Sequence, residues 1–331
     1  MFKALAAALA ALIILCDPPP AAAIAYGENA RDGAYPFAVL LTMKGLPTSG
    51  AGTRDSSCSG ALIAARWVIT AGHCFRDADG KRVSRPVARE TTATIGRVKV
   101  KGQGGYDVRV VAVRQSDTHD VALAELAAPV TGITPLRLAT TAPAPGETVR
   151  LTGFGLTTRD GAYVPVSRLQ TGRFRIDDVG DALLATTGIA PNEDTSPCPH
   201  DSGGPYFREE KGQTPTLVAV VSSGPGCPHT GPDYSARVDN INNWITTTIA
   251  TDPAPPFPWG WTFFAAALTA LTLLWAWRRQ LHSRSSWRRS RRGDSGPTSP
   301  PSSRSAPSAP PTTTRSSESS ASPQPPARPS T

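Results

Sequence analysis

Between residues 24 and 237 the chain alternates short apolar runs with clusters of Gly, Pro and Asp. "FAVLLTM" (37–43), "ALIAARWVIT" (61–70), "TATIGRVKV" (92–100), "DVRVVAVRQ" (107–115) and "TLVAVVSSG" (216–224) are rich in Val, Ile, Leu and Thr. Runs of this length bounded by turn residues predict β-strands, and their spacing predicts a sandwich or a pair of barrels. One segment breaks the pattern. In "VDNINNWITTTIA" (238–250), Val238, Ile241, Trp244, Ile245 and Ile249 recur at helical spacing, which predicts a C-terminal helix. No internal repeat is visible in the sequence. About 225 residues suffice for two small barrels sharing one cleft.

Outside this region two apolar stretches carry a different message. Lys3 followed by the apolar run Ala4–Leu15, the break at Pro18, Pro19 and Pro20, and Ala21-Ala22-Ala23 predict an export signal over residues 1–23 with cleavage before Ile24. An uncleaved N-terminal anchor is the alternative, and the bulky Leu15 before Cys16 argues against a lipidation site. Residues 257–277, "FPWGWTFFAAALTALTLLWAW", carry no charge, and 21 residues at 1.5 Å each reach about 30 Å, the thickness of a bilayer core. Trp259, Trp261, Trp275 and Trp277 flank the stretch, and Arg278 and Arg279 follow it. This predicts a single transmembrane helix with its C-terminal side in the cytoplasm; a buried core helix is the alternative. The expected organisation is a signal peptide (1–23), a globular domain (24–250), a Pro-rich linker (251–256), a membrane span (257–277) and a disordered cytoplasmic tail (278–331) rich in Ser, Pro and Arg.

Charge changes the picture by where it sits. Residues 24–256 hold 23 Lys or Arg against 23 Asp or Glu, whereas ten Arg beyond Trp277 face only Asp294 and Glu318. The formal +8 therefore belongs to the tail, which is a candidate for anionic lipid, and it excludes a nucleic-acid reading of the globular domain.

Candidate chemistry lies in three segments. "TAGHC" places His73 after a predicted strand, "DTHDVALAEL" places Asp120 before one, and "CPHDSGGP" places Ser202 in a Gly-rich turn. A serine hydroxyl needs a base within hydrogen-bond reach, and that base needs a carboxylate to fix its tautomer and stabilise its charge. His119 is a rival to His73 but lacks its setting. Four cysteines remain after export, which suits an oxidising compartment. The two "CPH" triplets at Cys198 and Cys227 leave a two-Cys, two-His zinc set as a rival use of those thiols.

"TAGHC", "HDVALAEL" and "DSGGP" in this order, preceded by "IAYGENARDGAYPFAVLL", resemble the trypsin-like serine peptidases from Ile24 to about Ile249. The resemblance implies an all-β fold of two Greek-key barrels with a C-terminal α-helix. It implies a serine endopeptidase acting on protein or peptide substrates without a cofactor, with His73 as base, Asp120 as its orienting carboxylate and Ser202 as nucleophile. It further implies Cys58–Cys74 and Cys198–Cys227 disulfides, an oxyanion hole from the N–H groups of His200 and Ser202, and an activating ion pair between the Ile24 amine and Asp201. Substrate would run along Ser222, Ser223 and Gly224.

Two departures stand out. His200 replaces a glycine whose peptide must turn inward through positive φ, a region costly for most residues but more open to histidine. A working strained loop and a catalytically impaired, membrane-tethered binding module are the two readings of that change; the intact triad favours the first. In the pocket, Ser196 stands where an aspartate selects Lys or Arg, which implies an apolar or aromatic preference. Asp233, aligned to the pocket wall, could instead attract a basic side chain.

Overall fold

The computed structural model describes residues 24–159, 162–251 and 269–277. The expected signal peptide, the linker from residue 252 and the tail lie outside the described residues. Of the expected span, 269–277 is helical, and among the described residues no helix is long and apolar enough to cross a membrane. The chain divides into two compact units, Met1–Pro255 and Pro256–Thr331, and the barrels, with His73, Asp120 and Ser202, belong to the first.

In that unit β1 (Glu28–Asn29) precedes β2 (Ala38–Pro47), β3 (Thr53–Ala64), β4 (Trp67–Ala71), β5 (Glu90–Ile95), β6 (Tyr106–Gln115) and β7 (Val121–Leu126). Strands β2 to β7 close a barrel in the order β2-β3-β4-β7-β6-β5. After β8 (Arg137–Leu138) come β9 (Thr148–Gly153), the hairpin β10 (Leu156–Arg159) and β11 (Ala162–Pro165), β12 (Gln170–Val179) and β13 (Leu183–Ala190). The chain then forms β14 (Pro205–Arg208), β15 (Thr216–Ser223) and β16 (Asp233–Arg237). Because β9 pairs with both β12 and β14, this sheet also closes, in the order β9-β12-β13-β16-β15-β14. Numbered within itself, each barrel runs 1-2-3-6-5-4, which read in a circle contains the Greek-key order 4-1-2-3. The two barrels therefore repeat a topology that no sequence repeat betrays.

The strands form where the apolar pattern predicts them, with two corrections. The run 61–70 is two strands, not one: Ala65 and Arg66 form a tight turn, and Arg66 is held by Glu125 of β7 at 3.0 Å. Both arms of that hairpin, Ala61, Leu62, Val68 and Ile69, are fully buried, so hydrophobicity continues through the turn and hides it. The run 92–100 stops at Ile95 because Gly96 turns away at φ +78°. Within β2, Val39, Leu41 and Met43 point into the first core, each contributing about 1.5–3 kcal/mol by burial. The helix α1 (Asn242–Thr251) follows a single 3-10 turn, Asp239–Ile241. Its Ile245 is fully buried, and Trp244 and Ile249 pack on the same core.

Candidate active site

Strand register brings two of the three candidates together. β4 and β7 are antiparallel with Ala71 opposite Val121, so the residues leaving β4 meet the residues entering β7. His73 sits in the one-turn helix Gly72–Cys74 after β4, and Asp120 stands just before β7. The His73 backbone N–H donates to Asp120 Oδ1 at 2.8 Å, and His73 Nδ1 lies 2.7 Å from Oδ2. This two-point grip fixes the ring and assigns its proton to Nδ1, leaving Nε2 as the acceptor. Ser222 Oγ donates to the same Oδ2 at 2.7 Å. Burial works to raise Asp120, but the hydrogen bonds from His73 and Ser222 outweigh it and hold the carboxyl below its usual range.

The second barrel supplies the serine. The loop between β13 and β14 crosses to the first barrel, where Ser59 N–H donates to the Ser202 carbonyl at 2.9 Å. Gly203, at φ +81°, makes this approach possible, since a Cβ there would lie 2.0 Å from Thr70 Oγ1. Ser202 Oγ then stands 2.8 Å from His73 Nε2. His119 is not the base: its Nδ1 engages Thr118 at 2.8 Å and it makes no hydrogen bond to Ser202.

His200 adopts φ +77°, the conformation that a glycine would take. The first barrel holds it there: Ser57 Oγ lies 2.7 Å from its Nδ1, and Ser59 Oγ donates to its carbonyl at 3.1 Å. Burial, then the charge of Arg54, pulls the imidazole below its usual range. In this loop Asp201, Gly203 and Gly204 donate their N–H groups to carbonyls, whereas those of His200 and Ser202 donate to no acceptor among the described residues. Two free donors beside the Ser202 hydroxyl are what a developing oxyanion would require.

Disulfides join Cys58 to Cys74 and Cys198 to Cys227. The first ties β3 to the residue after His73, and the second ties the nucleophile loop to the pocket loop. With both thiols of the "CPH" triplets in that bond, neither is free to bind zinc. Ala25 and Ser196 bridge through both backbone hydrogen bonds, and Ile24 is fully buried. Asp201 is also fully buried, accepting from Gly155 N at 2.8 Å and Cys198 N at 2.9 Å. Burial pushes its carboxyl up to about 8, and among the described residues no Lys, Arg or His pairs with it.

Asp233 lies against Gly224, where a Cβ would be 2.0 Å from Asp233 Oδ1. Ser196 lies in the loop between β13 and β14, while Ser222 and Ser223 end β15 and Gly224 follows them. His229, offered by the sequence only as part of a zinc set, also enters: its Nε2 is 3.2 Å from Asp233 Oδ1, and its backbone N–H donates to Ser196 Oγ at 3.3 Å. Asp233 Oδ2 is buried without a partner. Burial drives this carboxyl up to about 7, against the pull of His229. The repeated "CPH" was the available signal for His229, but it pointed to zinc. Arg82 and Ser57 had no signal at all.

The trypsin family profile matches residues 24–245. The chain belongs to the trypsin family. Among trypsin-family relatives it is 28% identical over 258 residues to serine protease 56 of Mus musculus, a match covering 70% of this chain and 39% of that protein. The chain therefore spans well under half of that relative's length. Against trypsin epsilon of Drosophila erecta it is 28% identical over 243 residues, covering 67% of this chain and 86% of that protein. The solved structure of neuropsin, a serine protease expressed in the limbic system of mouse brain, matches with a TM-score of 0.53 at 20% identity. That match covers 67% of this chain and 98% of neuropsin, and it shows a shared trypsin fold.

Proposed function

We propose that this chain is a serine endopeptidase that cleaves peptide bonds of extracytoplasmic proteins through an acyl-enzyme. The observation that carries the proposal is the continuous relay Asp120–His73–Ser202, at 2.7 and 2.8 Å, ending beside two undonated N–H groups. Ser202 Oγ passes its proton to His73 Nε2 and bonds to the substrate carbonyl carbon. The carbonyl oxygen takes the negative charge between the N–H groups of His200 and Ser202, while Asp120 stabilises the imidazolium. His73 then protonates the leaving amine, the C–N bond breaks, and water deacylates Ser202 with His73 again as base. The alternative of an impaired binding module needs an oxyanion hole spoiled by His200, and the φ of +77° speaks against it.

The same proposal places the peptidase domain outside the cell on a C-terminal anchor over 257–277, with residues 278–331 in the cytoplasm and export ending at Ala23. Support comes from the uncharged span, its tryptophans and the arginines after it. A fluorophosphonate probe tests the chemistry. The full-length chain should be labelled at Ser202, and Ser202→Ala or His73→Ala should abolish labelling. An intact wild-type fold that takes no label defeats the enzyme reading.

A further inference from the structure

A recess of about 490 Å³ adjoins the triad and is lined by His73 and Asp120 together with Arg76, Arg82, His119 and Ser223. The two arginines belong to one hairpin. Arg76 and Arg82 form an antiparallel bridge, framed by Val83 N–H to Phe75 carbonyl at 3.0 Å and Asp77 N–H to Lys81 carbonyl at 2.9 Å. Like charges set directly opposite each other repel, so the hairpin holds an arrangement that an anion would relieve. Arg82 is compensated within the protein: its Nη1 donates to the His119 carbonyl at 2.7 Å and lies 3.7 Å from Asp120 Oδ1. Arg76 is not. It is exposed and has no hydrogen bond or ion pair among the described residues. Asp120 is already committed to His73 and Ser222, and the exposed Asp117 forms no ion pair with either arginine. The recess therefore carries a positive excess beside the reacting atoms.

We propose that this recess is a cationic subsite that receives an aspartate or glutamate side chain of the substrate. The side chain comes from the residue just before the one that enters the slot at Asp233. The assignment rests on the peptidase reading above, because the Ser222–Ser223 wall is where that reading runs the substrate backbone ahead of the scissile bond. Arg76 is the specificity-determining residue, offering a free guanidinium to a carboxylate, and Arg82 adds field from a fixed position.

The test compares matched peptides carrying Glu or Gln at that substrate position, with the full chain and its Arg76→Gln and Arg76→Glu variants. Arg76 is exposed, so neither change threatens the fold. A partly exposed ion pair of this kind is worth up to about fivefold in kcat/KM. Wild type should favour Glu over Gln by about that factor at low ionic strength, and the preference should shrink in about 0.5 M salt, where the screening length is only a few ångströms. Arg76→Gln should lose most of it, and Arg76→Glu should prefer Lys at the same position. Binding of the same peptides to Ser202→Ala gives a second readout that needs no turnover, so failure of the chemistry and failure of the subsite are separable. Equal handling of Glu and Gln by wild type in both readouts, or a Glu preference that survives Arg76→Glu, overturns the proposal.

Discussion

His200 shows how one residue can look like damage in the sequence and be accommodated in the structure. A non-glycine residue at positive φ costs on the order of 1–3 kcal/mol, and the Ser57 hydrogen bond to His200 Nδ1 offsets about 1 kcal/mol of it. His200→Gly removes strain and hydrogen bond together, so stability should change by less than about 1 kcal/mol and kcat/KM by less than about threefold. His200→Ala, which has lost the same bond but keeps the strain, should be less stable than His200→Gly by about 1–3 kcal/mol. Thermal unfolding and turnover of the two variants check this. If His200→Gly instead raises kcat by about 10²-fold or more, the native loop lacks a working oxyanion donor, and the impaired-module reading gains.

At the scale of elements, the proposed substrate slot lies between the end of β15 and the start of β16. Asp233 presses against Gly224 and is covered by His229, which masks its charge; cleavage after large apolar residues should therefore run slightly ahead of cleavage after Arg or Lys. The balance should move with pH. Burial raises Asp233 to about 7, so the carboxyl is neutral below that value and anionic above it. The ratio of kcat/KM for matched Arg and Leu substrates, in which pH effects common to both substrates cancel, should climb between about pH 5.5 and 8.5. His229→Ser removes the group that pulls Asp233 down, so the climb should move to higher pH, and Asp233→Ser should flatten the curve. A flat wild-type ratio contradicts the assignment. The same elements show why parts of the molecule were legible. His73, Asp120 and Ser202 lie in short motifs at strand ends, so their neighbours in sequence are their neighbours in space. His229 and Arg82 act across loops, 33 residues from Ser196 and 37 from His119 respectively, and no local pattern encodes such a meeting. The apolar runs located the strands but not the turn at Ala65–Arg66, because both arms of that hairpin are buried.

At the scale of the whole molecule, the topology proposed above, with the basic tail on the cytoplasmic side, has a direct test. A tag at Thr331 should resist protease added outside intact cells, and its digestion there contradicts the proposed topology. Export should also switch the enzyme on. Ile24 and Asp201 are both fully buried, and the backbone bridge from Ala25 to Ser196 draws the N-terminal stretch to the loop that carries Asp201. If signal cleavage after Ala23 frees the Ile24 amine, that amine supplies the cation that Asp201 lacks; breaking such a buried pair costs about 3–5 kcal/mol. That is roughly two to three and a half decades in the active-site equilibrium. A chain that keeps residues ahead of Ile24 has no such amine. Its Asp201 then stays protonated in the fold up to about 8 but ionises near 4 when unfolded. The folded state thus binds the extra proton across that window, and stability falls as pH rises through it. In the chain that begins at Ile24, the pair lowers Asp201 and removes this fall. Melting temperatures of the two forms should therefore diverge between about pH 5 and 7.5, with the Ile24 form the more stable at the upper end and the only one with full activity. N-terminal sequencing with activity measured on the same sample completes the test, and full activity in a chain beginning anywhere else ends the hypothesis.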